Sequence, residues 1–97
     1  MNKGIFFIPV NEQNKENNIL FDEIISETID AEKLGLTEAF FGEHITDKHE
    51  KISSSLMMVS ALSRITKNIK LGTLTTNLNF HKPATLSAMI SQVDNLC

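Results

Sequence analysis

Phe40-Phe41-Gly42-Glu43-His44 reads as a short buried strand that stops abruptly at an acid and an imidazole. Two β-favouring aromatic residues give way to groups that can titrate or hydrogen-bond, where a strand meets a surface loop. In parallel α/β proteins, ligands bind at that end of the strands. Glu43 and His44 therefore mark the centre of a candidate site, with the chain on either side as its scaffold.

Upstream, Leu20 to Leu34 has a helical period, with Phe21, Ile24, Ile25, Thr28, Ala31 and Leu34 in one stripe and most acids off it. Asn18 is the expected N-cap, the acids that follow suit the helix dipole, and Gly35 is placed to end the helix in a left-handed conformation. Before it, Gly4 to Val10 is continuously apolar, as in a strand covered on both faces, and Pro9 marks its end. The polar segment from Asn11 to Asn18 reads as a solvated connector or a rim loop over a site.

Downstream, Ile45 to Lys51 is a polar loop, and one of Ser53, Ser54 and Ser55 caps the next helix. Met58, Val59, Leu62 and Ile65 form its stripe, and Asn68 is the expected stop. Met57 and Met58 read as packing. Ile69 to Thr76 is a third strand leading to Asn77, and Pro83 opens a last helix whose stripe is Leu86, Met89, Ile90 and Val93. Strands near residues 4–10, 38–44 and 70–77, each followed by a helix, have the rhythm of right-handed βαβ units and so predict a parallel sheet. Asn11 and Glu12, Glu43 and His44, and Thr75 to Asn77 then gather at one end of that sheet.

Ninety-seven residues amount to one small domain, residues 1–97, able to bury about 60–65% of its unfolded surface. A composition of 41% hydrophobic and 22% charged residues is that of a globular chain. The net charge of −3 argues against nucleic acid, which requires a basic face. No run approaches the ~18 apolar residues of a membrane span, and no signal peptide is recognisable. A single cysteine, Cys97, has no internal partner, which points to the cytoplasm.

Gly4, Gly35, Gly42 and Gly72 are the only glycines and form neither a dinucleotide fingerprint nor a P-loop. Glu43, His44, Asp47 and His49 lack metal-site spacing, so no metal is expected. His44 can exchange a proton near neutral pH or hold an anion, although a histidine after a strand can equally be structural. His81 and Lys82, ahead of a helix N-terminus, suit either an anion or an exposed loop.

Gly42-Glu43-His44, Leu71-Gly72-Thr73 and His81-Lys82-Pro83, with Ala31-Glu32-Lys33-Leu34-Gly35-Leu36, together resemble the luciferase-like monooxygenase family over almost the whole chain. The resemblance implies a (β/α)8 TIM barrel using reduced flavin, FMN or in sister groups a deazaflavin, with molecular oxygen and a small organic substrate. It makes His44 the catalytic residue. It also places Glu43, Leu74, Thr75 and Asn77 at the cofactor, Leu74 and Thr75 where the family often has an unusual cis peptide. Lys82 departs from the family, which often has a second histidine there. A TIM barrel has eight βα units in about 250 residues, and three are legible here. The expected fold is thus α/β, a partial TIM barrel, with the chain an N-terminal part of a flavin-dependent monooxygenase, inactive alone. The alternative is a non-catalytic partial-barrel subunit docking on a complementary chain. Open strand edges favour association, a homo-oligomer included.

Overall fold

The computed structural model describes residues 1–97. In chain order the elements are β1 (Gly4–Phe7), α1 (Asn17–Lys33), β2 (Glu38–Phe41), α2 (Ser55–Ser63), β3 (Lys70–Thr73), a 3-10 turn (Leu78–Phe80) and α3 (Pro83–Leu96). The strands form one parallel sheet in the order β1-β2-β3, with Phe6, Phe40 and Gly72 in one row and Phe7, Phe41 and Thr73 in the next.

Alternation along the strands divides the sheet into two unlike faces. Phe7, Ala39 and Phe41 point toward the helices, where they are buried with Leu20, Ile24, Val59 and Leu62. The Phe7 and Phe41 rings stack across neighbouring strands, centroids 5.2 Å apart. Burying side chains of this size contributes about 1.5–3 kcal/mol each, and this layer holds the sheet to its helices. The opposite face is open: Phe6 and Ile8 are 44% and 45% exposed. The continuous apolarity of residues 4–10 predicts cover on both faces, and within residues 1–97 only one is covered.

Local signals explain where the elements stop. Gly35 at φ +85° closes α1, its N–H donating to Glu32 O while the Leu36 N–H donates to Ala31 O. These are the two hydrogen bonds of a Schellman ending. Ser54 caps α2, its hydroxyl accepting from the Met57 N–H at 3.4 Å, and Pro83 occupies the first turn of α3. A longer-range tie fixes the start of β3. Glu32 Oε1, at the end of α1, accepts from the backbone N–H groups of Lys67, Asn68 and Ile69 at 2.8, 2.5 and 3.0 Å. The bonds from Asn68, Ile69 and Lys67 hold its carboxyl below the usual range.

Several boundaries differ from the sequence reading. The strands span four residues each, because the chain turns away soon after the ladder. The α1 helix begins at Asn17 with Glu16 at the N-cap, which leaves no acid in its first turn. Leu20 is buried in that helix, whereas Leu34, at its C-cap, is exposed. The α2 helix ends before Ile65, because the Ile65 and Thr66 N–H groups both turn back to Leu62 O. In α3 only Leu86 is fully buried.

Candidate functional site

A parallel sheet directs all its strand C-termini to one end. Here Ile8, Gly42 and Leu74 follow the last ladder residues of β1, β2 and β3. Hydrogen bonds extend the ladder one step further, from Gly42 N–H to Phe7 O at 3.1 Å and from Leu74 N–H to Phe41 O at 2.9 Å. Gly42 is packed between the strand ends: a Cβ placed there would lie 3.5 Å from Phe7 O, 3.6 Å from His44 Cε1 and 3.8 Å from Leu74 O. The His44 ring therefore lies back over the end of the sheet.

Glu43 is 6% exposed and organises this end. Its Oε2 accepts from the Ser55 N–H and hydroxyl, both at 3.1 Å. Its Oε1 accepts from the Asn77 N–H at 2.9 Å and the Asn77 amide at 3.1 Å. Burial pushes the Glu43 carboxyl upward, but the hydrogen bonds from Asn77 and Ser55 outweigh it and leave the group below its ordinary range. Placed beside the cofactor by the family resemblance, Glu43 spends both oxygens inside the protein, joining the end of β2 to the start of α2 and the segment after β3.

Asn77 Nδ2 also reaches Glu43 O at 3.1 Å. Two acceptors on Nδ2 fix which end of the amide is nitrogen, so Oδ1 is the end left without a partner in the protein. Leu74 and Thr75 are exposed and joined by a cis peptide bond. Thr75 O lies 3.3 Å from the Ser55 hydroxyl, sharing its single proton with Glu43 Oε2. By strand alternation, Leu74 shares the open face with Phe6 and Ile8.

His44 is half-exposed, and its Nδ1 contacts Glu50 Oε2. A shallow cleft of about 300 Å³ lies between His44 and Asn77, lined also by Glu43, Thr46, Asp47 and Phe80. The polar loop after β2 is more ordered than its composition conveys. Asp47 Oδ1 accepts from the His49 and Glu50 N–H groups at 2.7 and 3.0 Å, the Ile52 carbonyl accepts from the His44 N–H at 2.8 Å, and Glu50 forms an antiparallel bridge with Val10. Those two bonds, Glu50 first, hold the Asp47 carboxyl below its usual range.

His44, Thr75 and Asn77 thus emerge at one end of the sheet. His81 and Lys82 do not join them. His81 lines a separate cleft with Leu78, Pro83, Leu86, Ser87 and Ile90, its Nε2 shut off from solvent without a partner. Lys82 is exposed at the N-cap of α3. No three histidine, cysteine, aspartate or glutamate side chains converge as metal ligands. Ser55 and Glu50 escape a reading of the sequence, because their importance lies in contacts with Glu43 and His44 across loops. Its place in the run Ser53-Ser54-Ser55 at a helix start is the one local signal for Ser55.

Residues 1–97 match the sequence profile of the luciferase-like monooxygenases. Among similar proteins, 2,5-diketocamphane 1,2-monooxygenase 1 of Pseudomonas putida is 27% identical over 96 residues, 99% of this chain and 26% of that protein. Limonene 1,2-monooxygenase of Rhodococcus erythropolis is 26% identical over 93 residues, 96% of this chain and 24% of that protein. The oxygenating constituent of 3,6-diketocamphane monooxygenase from Pseudomonas putida, a type II Baeyer-Villiger monooxygenase solved with FMN, superposes with a TM-score of 0.92 at 26% identity, covering 99% of this chain and 26% of that one. A monooxygenase from Streptomyces bottropensis shares the fold at a TM-score of 0.90 and 23% identity, covering 99% of this chain and 30% of that one. The chain spans about a quarter of the length of the curated relatives it matches. The α/β fold expected from the sequence, three βα units of a partial TIM barrel, is the one it shares with these enzymes.

Proposed function

The chain belongs to the luciferase-like monooxygenase family, and from that premise we propose that residues 1–97 supply the His44 side of a flavin-dependent monooxygenase site. The substrate class is a small organic molecule, oxidised with molecular oxygen and reduced flavin. The observation carrying this reading is the cleft between His44 and Asn77, at the strand ends and beside an uncovered apolar face. FMN is the cofactor favoured, because the structural relative contains it; a deazaflavin is the alternative.

The residues present fit the ring portion of a flavin. An isoalloxazine is flat, apolar over its faces and polar along one edge. Phe6, Ile8 and Leu74 offer exposed apolar surface, and Asn77 Oδ1 is an acceptor without a protein partner. When bound, a reduced flavin supplies the electrons that activate oxygen. The chain's own part is narrower. Leu74, Thr75 and Asn77 would hold the ring, Asn77 through its free Oδ1, and Glu43 shapes the site by holding Asn77 in place. His44 takes or gives a proton at the reacting centre, a role worth about 10²–10⁴-fold in rate. No helix is long and apolar enough to cross a membrane, and a cytoplasmic site of action suits a chain with one cysteine.

The test, made on the whole enzyme that carries residues 1–97, is titration with reduced FMN and with a reduced deazaflavin, followed by oxygen-dependent product formation from diketocamphane and limonene. His44→Ala is expected to reduce turnover about 10²–10⁴-fold with little change in flavin affinity. Full turnover in that variant removes His44 from the mechanism, and absence of flavin binding overturns the reading. Residues 1–97 by themselves are expected to bind flavin weakly, since a TIM barrel usually anchors phosphate after strands seven and eight.

One observation supports a second reading, a non-catalytic partial barrel that associates with a complementary chain or a second copy. The outer edges of β1 and β3 are unpaired, and the face bearing Phe6 and Ile8 is uncovered. Stable co-assembly without flavin binding is its signature.

A further inference from the structure

We propose that Glu50 is a positioning residue for His44, fixing the ring with its proton on Nδ1 and leaving Nε2 as the free nitrogen for the cleft. The inference rests on the proposed oxidative site for its purpose, but its geometry stands independently.

Glu50 Oε2 is shut off from solvent and accepts no hydrogen bond from any other group, and the polar atom it contacts is His44 Nδ1. A carboxylate oxygen accepts and cannot donate, so the contact calls for the ring proton on Nδ1. A neutral imidazole then presents Nε2 as its acceptor, the arrangement needed to take a proton from a group in the cleft. His44 Nε2 makes no hydrogen bond within the protein.

Glu50 is held in place for this. Its backbone pairs with Val10 just beyond β1, and its N–H donates to Asp47 Oδ1 at 3.0 Å. On either side, the His49 carbonyl accepts from the Asn11 N–H at 2.9 Å and the Ile52 carbonyl accepts from the His44 N–H at 2.8 Å. The loop therefore leaves His44, crosses to the end of β1 and returns, bringing a carboxylate back to the ring six residues later in the chain. Apart from Glu50, the cleft and its loop carry Glu43, Asp47, Lys48, His49 and Lys51 as titratable groups. Both Glu43 oxygens are engaged by Ser55 and Asn77, and Asp47 Oδ1 by backbone N–H groups.

The test reads the ring itself. Selective ¹⁵N labelling of the histidine rings, recorded at a pH where His44 is neutral, separates a protonated Nδ1 from a protonated Nε2. The native protein is expected to show Nδ1–H and a pyridine-type Nε2 for His44. Glu50→Ala, and Glu50→Met, which fills similar space without an acceptor, are expected to shift the ring toward Nε2–H. A native ring protonated on Nε2 overturns the proposal, as does a tautomer unchanged in a folded Glu50 variant. If neither variant folds, the native spectrum alone decides. No flavin is needed, so the expected tautomer together with no oxygen-dependent turnover in the whole enzyme would defeat the monooxygenase reading and uphold this one. Where turnover is present, Glu50→Met should lower kcat about tenfold or more with flavin affinity unchanged.

Discussion

Asn77 bonds to Glu43 three times: its backbone N–H and side-chain amide both reach Glu43 Oε1, and the amide also reaches the Glu43 carbonyl, all within 2.9–3.1 Å. One carboxylate thereby joins the end of β2 to the segment after β3, while its other oxygen holds Ser55 at the start of α2. The site floor is therefore set by an acceptor that only an ionised acid supplies in full.

Glu43→Gln should lower stability by about 1–3 kcal/mol, because the amide nitrogen it introduces faces a donor whichever way it turns. Urea unfolding of native and variant protein measures the difference. Equal midpoints would mean that the Ser55 and Asn77 bonds contribute nothing net.

The same pair predicts a pH dependence. The folded-state Glu43 carboxyl lies below its ordinary range, despite burial that opposes this, because of the Asn77 and Ser55 bonds. The unfolded chain, titrating near about 4.3, then binds more protons in the acid range, so stability rises with pH there. The contribution is complete above that value and disappears as pH falls through the lower folded value. Glu32 and Asp47, also lowered, act in the same direction. The stability gap between native protein and Glu43→Gln should be constant near neutrality and narrow on acidification. A gap that widens on acidification would contradict the assigned sign.

Glu32 should control the start of β3. Its Oε1 receives three successive N–H groups, from Lys67, Asn68 and Ile69. Glu32→Ala should speed amide exchange at those three positions while leaving the Leu62 amide, inside α2, protected. Unchanged exchange at all three would show that the turn stands without the carboxylate.

What a sequence reveals depends on how local its cause is. Gly35 and Pro83 act on their own neighbours and end or start a helix as read, and of the three candidate serines Ser54 is the cap. The parallel sheet follows from apolar runs separated by helical stripes, again short-range patterns. Leu34 and Ile65 carry the right periodicity but lie beyond the helix ends, where the stripe no longer applies. At the site, the end of β2 was legible because apolar residues give way to Glu43 and His44. The pairing of Glu43 with Ser55 and Asn77, and of His44 with Glu50, was not. Those contacts depend on how loops return to the sheet, and no residue type announces that path.

Gly72 and Phe40 give the last prediction. On the open face a Cβ built on Gly72 would lie 2.6 Å from Phe40 Cε1 and 2.7 Å from Cδ1, so the ring occupies the space that the missing side chain leaves. Gly72→Ala must therefore turn the ring away, at an expected cost of about 1–3 kcal/mol. In a Phe40→Leu background the obstacle is smaller. The alanine should then be close to neutral, or stabilising by about 0.5–1 kcal/mol, since glycine is unfavourable within a strand. A double-mutant cycle in urea should show a coupling of about 1 kcal/mol or more, and strict additivity would mean that the ring does not rest on Gly72 in solution. Phe40 shares its row with Phe6, on the face assigned to the cofactor ring. Gly72→Ala should therefore also weaken flavin binding, whereas Ile65→Ala, an exposed change beyond the α2 helix, should leave it unaltered.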